Sequence, residues 1–491
     1  MLTVESRSIN QSYFRYIDWT TVFIYLILIT LGVFSVYAAS YDFDNASIFD
    51  FNEFSGKQVR WIGCALALAS IILLIDSRLY EVYAFPIYII VVVLMIVTIF
   101  IAPDIKGSRS WIVLGPVSFQ SAEFGKFATS LALAKLFSSY YFNLNEKASN
   151  YYQALLIIFI PVLLILAQKE TGSALAYISL FFVLYREGMS GVVLMSAFCA
   201  VLFFVLAIKY ANVPFMDINL GEASVFIIIM ILMVLMMAYF CRKYTAAGNL
   251  FAWFAGSGII AFISYKLGYP LPGTAFFLTT ISVAAIYCFI LAVHANSRKM
   301  MITGLAAVVS VLFLYSVNYA FTSILQPHQQ QRIKVTLGLE EDLLNAGYNV
   351  NQSKIAIGSG GITGKGYLNG TQTKLKYVPE QHTDFIFCTI GEEHGFIGAS
   401  AVLIAFLVLI LRVIHIAERQ PTTFGRVYAY CVASFFIFHL AVNIGMVIGL
   451  CPVIGVPLPF FSYGGSSLWS FTILLFILIR IDAARRRNLV Y

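Results

Sequence analysis

Four polar segments hold the residues of this chain whose types and spacing could do chemistry. The first runs from Gly107-Ser108-Arg109-Ser110-Trp111 to Gln120-Ser121-Ala122-Glu123, with Lys126 three residues further on. Glu123 and Lys126 stand i,i+3 at a helix start, so they share a face and can pair. The plainer reading is an Arg/Trp anchor at a membrane interface with a local ion pair. The second is Gln168-Lys169-Glu170-Thr171-Gly172 between two apolar runs. Charges at bilayer depth cost about 2.5–3.5 kcal/mol each, so they mark function unless the segment is a short exposed hairpin. The third is a polar stretch of roughly 60 residues, 326–385, containing GYNVNQSKIAIGSGGITGKGYLNGTQ and then VPEQHTDFIF. Structureless stretches this long are usually functional or disordered, and apolar residues in step with charges and glycines favour order. The fourth is GVPLPFFSYGGSS, 455–467. Its Pro and Gly suggest a re-entrant element, tolerated at depth where it is buried in protein or lines a cavity; an ordinary Pro-rich turn is the alternative.

Several chemistries are excluded. Gly364-Lys365 is followed by Gly366 where a phosphate-binding loop needs Ser or Thr, and Ser359 stands where its first Gly belongs. A glycine-rich turn that admits close backbone approach fits better, so no nucleotide cofactor is expected. His382 and Asp384 lack a second His at metal-ligand spacing. The seven cysteines show no CxxC and lie mostly in apolar runs, where Cys acts as a small hydrophobe. No Ser-His-Asp order, GxSxG or dinucleotide fingerprint is legible.

These segments need positioning elements, and composition says what kind. The chain is 60% hydrophobic and 11% charged over 491 residues, against about 25% charged in soluble domains. It is expected to be an all-α polytopic membrane protein, a single integral domain over 1–491. A spanning helix needs about 20 apolar residues. Spans are expected near 19–39, 58–76, 80–102, 121–140, 153–168, 172–186, 189–209, 223–241, 250–266, 275–294, 301–321, 386–412, 427–449 and 463–481, fourteen in all. The weakest pair is 153–168 and 172–186. Arg7 and Arg15 precede the first span. With Arg78, Arg186, Arg242, Lys243, Arg298, Lys299, Arg412, Arg419, Arg426 and Arg485–Arg487 they fall on one side, which the positive-inside bias makes the cytoplasm. Residues 1–18 and 482–491 are then cytoplasmic termini, and no cleavable leader is expected. The acidic group Asp42, Asp44, Asp50 and Glu53 faces outward with 326–385. The net charge of +7 resides largely in the C-terminal arginines, so no nucleic-acid partner is expected.

Together the segments resemble the RodA/FtsW family, the SEDS membrane proteins of bacterial cell-wall synthesis. The matching stretches stand in family order: G-S-R-S-W (107–111), Q-S-A-E-F-G-K (120–126), N-A-G-Y-N-V-N-Q-S-K-I-A-I-G-S-G-G (345–361), G-K-G-Y-L-N-G-T-Q (364–372), P-E-Q-H-T-D-F-I-F (379–387), G-E-E-H-G-F-I-G (391–398) and P-L-P-F-F-S-Y-G-G-S-S (457–467). The Y-L-N-G-T-Q and P-E-Q-H-T-D forms look like the RodA branch. The resemblance covers about 15–190 and 300–485. It implies a ten-span helical core, here with about four extra spans within 189–300, and an extracytoplasmic catalytic loop over 326–385.

It also implies peptidoglycan glycosyltransferase activity on lipid II, serving cell elongation and rod shape in the bacterial cytoplasmic membrane. Implied partners are a class B penicillin-binding protein that supplies the transpeptidase and other membrane proteins of the elongation complex. The family's essential acid precedes D-P-L-G-A-G-Y. Here the stretch is Asp342-Leu343-Leu344-Asn345-Ala346-Gly347-Tyr348, with Leu for Pro, and the role carries to Asp342. Asp342 would take the proton of the attacking hydroxyl, a contribution of about 10²–10⁴-fold. Glu340 and Glu341 lie beside it, and Glu341 with Asp342 would hold a divalent cation such as Mg or Mn. Arg109, Lys126 and Lys365 would hold the diphosphate. Trp111, Glu123, Glu170, Lys354, Gln372, His382, Asp384 and Ser462 fall in the matched motifs as substrate-binding candidates. The family's Q-P-S-E and Q-P-D-L-G-T motifs stand here as Gln120-Ser121-Ala122-Glu123 and Gln168-Lys169-Glu170-Thr171-Gly172-Ser173, without either proline. The competing classes are a lipid II flippase, since charges at depth and broken helices suit transporters, and a non-catalytic scaffold for the transpeptidase.

Overall fold

The computed structural model describes the chain except residues 1–15, 42–49, 52, 106, 116, 141, 145, 216, 270, 340–346 and 486–491. Among the described residues, twelve helices are long and apolar enough to cross a membrane. The other two expected spans are helical but shorter. Ser121–Phe137 has 17 residues and begins with charges, and Thr171–Arg186 is interrupted by a 3₁₀ turn at Tyr177–Ser179. The count of fourteen therefore becomes twelve self-sufficient spans plus two helices packed within protein, where length need not match lipid thickness. The 326–385 stretch is not a plain loop: it contains helices Pro327–Thr336, Tyr348–Gly360 and Thr371–Lys374.

The single domain expected from the sequence divides into two compact units, residues 1–190 with 348–491, and residues 191–347. The physical reason is a separate apolar core in the second unit. There Phe226 stacks on Phe277 at 5.3 Å among buried Ile229, Met233, Ala284 and Ala285. Trp253 donates its indole N–H to the Thr280 carbonyl at 3.0 Å. A cavity of about 290 Å³ in this unit is lined by Ile227, Phe254, Gly258, Phe262 and Phe277.

The first unit is built around helix Gly465–Ala484, 83% buried along its apolar window, against 28% for Ala84–Ile101. It packs against Phe54–Leu74, Ser121–Phe137 and Thr423–Val447. Polar groups inside such a bundle need protein partners because lipid offers none. Tyr25 Oη meets Thr472 Oγ1 at 3.1 Å, Tyr428 donates to the Leu474 carbonyl at 3.0 Å, and Arg480 Nε donates to the Ile75 carbonyl at 2.7 Å.

One end of this unit is closed by charge. Buried Asp18 accepts from Arg412 Nε at 3.0 Å and Arg419 at 3.1 Å. Asp482 accepts from Arg419 Nε at 2.9 Å, Gln420 at 2.9 Å and Arg485 at 2.6 Å. Three helix ends are thereby joined, those of Trp19–Ser40, Ile386–Glu418 and Gly465–Ala484. Burial alone would push the Asp18 carboxyl up, but the Arg412 and Arg419 guanidiniums outweigh it and hold it below its ordinary value. A carboxylate lowered in the folded state adds stability above its unfolded pKa, and that stability is lost as pH falls through the folded value. The purified protein should therefore lose melting temperature between about pH 5 and pH 3, and Asp18→Asn should lose less over that interval. Parallel melting curves for the two proteins would exclude this role.

Candidate active site

The site begins at the short antiparallel hairpin Trp111–Leu114 and Val117–Gln120, in which half-buried Trp111 pairs with Gln120. The hairpin runs directly into helix Ser121–Phe137 and is fastened to helix Gly465–Ala484. Ser466 Oγ donates to the Ser118 carbonyl at 3.1 Å and accepts from the Gln120 N–H at 3.2 Å. Ser470 donates to the Glu123 carbonyl at 2.5 Å.

One turn into the helix, Lys126 Nζ meets Glu123 Oε1 at 2.8 Å, with both side chains buried. The ammonium also contacts His439 Nε2 at 2.9 Å and lies 4.5 Å from the Phe471 ring centre. Breaking a buried pair by removing one partner costs roughly 3–5 kcal/mol. The Lys126 donors are therefore committed inside the protein, which does not suit the diphosphate role expected of this residue.

The 107–111 and 168–173 segments come together. The Arg109 N–H donates to the Gln168 carbonyl at 3.0 Å. Ser108 Oγ lies 3.2 Å from that carbonyl and 3.1 Å from Glu170 Oε2, with one O–H to donate to either, while Ser173 Oγ meets Glu170 Oε1 at 3.3 Å. Lys169 takes φ 60°, an uncommon conformation for a non-glycine residue that is met at turns and functional sites. Gly172 is required by close approach: a Cβ there would stand 2.2 Å from the Ile454 carbonyl oxygen. The Arg109 side chain is about half exposed, with Asp104 at 3.9 Å, leaving its guanidinium available from outside.

The 360–366 glycines serve a different approach, that of backbone to backbone. Helix Ile386–Glu418 is broken at Gly395 (φ 62°, ψ −159°). The Lys365 and Gly366 N–H groups donate to the Glu392 and Glu393 carbonyls at 3.1 and 3.0 Å. In return the Phe396 and Ile397 N–H groups donate to the Gly361 and Ile362 carbonyls at 2.9 and 3.1 Å. A Cβ at Gly364 would lie 2.1 Å from the Glu393 oxygen.

Fully buried Glu392 is the hub of this docking. Its carboxylate accepts from Lys365 Nζ at 2.8 Å, the Gln372 and Thr373 N–H groups at 2.9 Å each, Thr373 Oγ1 at 2.7 Å and Thr371 Oγ1 at 3.2 Å. Lys365 and the Gln372 backbone are thus committed to the fold. Gln381 bonds the Thr373 carbonyl at 2.9 Å.

The remaining candidates are distributed around these groups. His382 stacks on Phe54 with ring centres 4.1 Å apart. A cavity of about 220 Å³ opens beside it, lined by Ser40, Glu53, Phe54, Lys376, Glu380 and His382 among others. Asp384 Oδ2 lies against Gly455, and the Asp384 carbonyl accepts from Asn443 Nδ2 at 2.8 Å. Exposed Lys354 lies across Gly449. Ser462 Oγ accepts from the Leu458 N–H at 2.9 Å, closing a turn. Glu340, Glu341 and Asp342 lie outside the described residues. Among the described residues no three His, Cys, Asp or Glu side chains gather as metal ligands.

Sequence reasoning passed over His439, Asn443 and the role of Glu392. The first two are polar residues within an expected span, which intramembrane cost alone marks as functional candidates. Glu392 was in a matched motif without an assigned partner.

With this geometry in view, the comparisons with known proteins decide the family. The model of the FtsW/RodA/SpoVE family, described as a cell cycle protein, matches residues 18–218 and 273–487. The chain belongs to this family. The RodA peptidoglycan glycosyltransferase of Treponema pallidum is 28% identical over 471 residues, 95% of this chain and 97% of the relative. The MrdB peptidoglycan glycosyltransferase of Escherichia coli K12 is 30% identical over 413 residues, covering 84% and 81%. A chain solved in work on the structural coordination of polymerization and crosslinking by a peptidoglycan synthase complex shares the fold. Its TM-score is 0.60 at 21% identity, covering 96% of this chain and 98% of that one.

The family model leaves 219–272 unmatched, an interval inside the expected insertion that holds two candidate spans, Leu220–Phe240 and Tyr244–Lys266. Helices Gly191–Lys209 and Gly273–His294 lie in matched sequence. A pair of helices makes one return crossing, so the insertion leaves the sidedness of everything after it unchanged.

Replacing Glu392 by Ala should destabilise the protein by roughly 3–5 kcal/mol and release the 360–381 segment. Hydrogen exchange at the Gln372 and Thr373 amides measures this directly, and unchanged protection would show that the docking does not depend on Glu392.

Proposed function

We propose that this chain polymerises lipid II into glycan strands for cell elongation, working in the bacterial cytoplasmic membrane with a class B penicillin-binding protein that crosslinks them. The termini lie in the cytoplasm and residues 326–385 face outward. The observation that carries this reading is the convergence, in a member of this family, of three separate polar segments on residues 439–466. Gly172 abuts Ile454, Asn443 spans Asp384 and Val456, His439 meets Pro457 and Ser466 holds the 111–120 hairpin. Such a framework can fix a diphosphate-linked sugar against a mobile lipid tail, and positioning is a large part of catalysis in transfer reactions.

In the proposed reaction, Asp342 removes the proton from the 4-hydroxyl of the incoming lipid II sugar as that oxygen forms a bond to the anomeric carbon of the other chain. The bond from that carbon to the diphosphate breaks, and undecaprenyl diphosphate leaves with the electron pair. The half-exposed Arg109 is the cation suited to receive the diphosphate, since a guanidinium contacts two phosphate oxygens at once. Exposed Lys354 would supply a second positive charge. Glu123 and Lys126 act from inside, holding the helix that carries the hairpin. The divalent ion proposed at Glu341 and Asp342 enters no step.

The test is polymerisation of lipid II by the purified chain with its transpeptidase partner. Asp342→Ala should lower the rate by about 10²–10⁴-fold while the complex still assembles. Wild-type polymerisation by that variant would remove Asp342 from the mechanism. The buried ion pair and broken helices also suit a flippase: movement of fluorescent lipid II across liposomes with no polymer formed would replace the glycosyltransferase reading. Loss of polymerisation on adding EDTA would support the divalent ion, and full activity in EDTA would remove it.

A further inference from the structure

The Lys126 ammonium has three N–H bonds and three partners: Glu123 Oε1 at 2.8 Å, His439 Nε2 at 2.9 Å and the Phe471 ring at 4.5 Å. The histidine is equally committed. Its Nδ1 lies 3.0 Å from the Pro457 carbonyl oxygen, and a carbonyl can only accept, so the ring proton sits on Nδ1. An ammonium can only donate, so Nε2 presents its lone pair to Lys126. The Phe471 ring packs edge-on against the imidazole with centres 4.7 Å apart. One neutral imidazole of fixed tautomer therefore joins helix Ser121–Phe137, helix Thr423–Val447 and the non-helical segment that begins after it.

That segment also sets the distance to the Glu170 turn, because the Ile454 carbonyl abuts Gly172 with no room for a Cβ. Without the imidazole, Lys126 loses one of its two hydrogen-bonding partners and the Pro457 carbonyl loses its side-chain donor, both of them buried groups that are costly to leave unpaired.

We propose that His439 is a positioning residue for glycosyl transfer: it locks the Glu123–Lys126 pair to the Pro457 segment and so sets the spacing between the 107–126 and 168–173 segments. This rests on the glycosyltransferase reading, and it assigns to a residue that touches no substrate the task of holding those that do. The Lys126 donors are then divided between a carboxylate and an imidazole.

The experiment uses the full chain with its partner. His439→Leu removes both hydrogen bonds. His439→Gln keeps an amide that can donate to Pro457 and accept from Lys126. His439→Leu should lower kcat for lipid II polymerisation by roughly tenfold to a hundredfold with KM little changed, and His439→Gln should recover most of that loss. A leucine variant with wild-type kcat, or a glutamine variant as impaired as the leucine one, would overturn the proposal. Melting temperatures of His439→Leu, Lys126→Met and the double variant form a second, activity-independent arm. Non-additive losses are expected, since coupled neighbours fail additivity, and strictly additive losses would overturn the coupling. If the wild-type protein makes no polymer, the function reading fails, while the melting cycle still decides whether the two residues act as a unit.

Discussion

Non-helical backbone inside a membrane bundle must find every hydrogen bond within the protein, and residues 452–464 are such backbone. Side chains supply much of what a helix would have supplied. Asn443 donates to the Val456 carbonyl at 2.8 Å, His439 to that of Pro457, and Gln58 accepts from the Gly464 N–H at 3.3 Å. The Tyr463 N–H reaches the His382 carbonyl at 2.9 Å. These partners come from three other parts of the chain, helix Thr423–Val447, Gln58 and His382, so satisfying this one segment obliges all three to stand where they do. The candidate site is in this sense a by-product of solvating a stretch of backbone without water.

The same reasoning explains the chain's unusual economy of charge. Carboxylates and cations within the first unit are either joined at the helix ends, as with Asp18, Arg412 and Asp482, or gathered at its polar segments, as with Glu123, Lys126 and Glu392. The first group fixes helices to one another. The second fixes polar segments to helices. Arg109 and Lys354 are bound into neither set of buried contacts and stay exposed.

Much of this was legible in the sequence because apolar runs of membrane length and polar segments at fixed places are strong local signals. The helices and the pairing of Glu123 with Lys126 at i,i+3 follow from residues close together in the chain. What was not legible depends on residues far apart. Nothing near Gly364 announces that its hydrogen atom faces the Glu393 carbonyl, and nothing near His439 announces Lys126, more than 300 positions earlier. The diphosphate role expected of Lys126 came from its motif, which says nothing of burial, and its ammonium lies buried against Glu123 and His439. The helices hidden within 326–385 escaped notice because polar helices packed on protein carry no membrane-length apolar run.

Helix Gly465–Ala484 follows every other helix described, yet it lies at the centre of the first unit. A ribosome releases the elements of this bundle long before it releases the one they surround. Until then Tyr25, Gln58 and the 111–120 hairpin wait for Thr472, Gly464 and Ser466, whereas the 191–347 unit contains its whole core in sequence already made. The core of the 191–347 unit is thus complete in sequence made before the helix that the other unit surrounds.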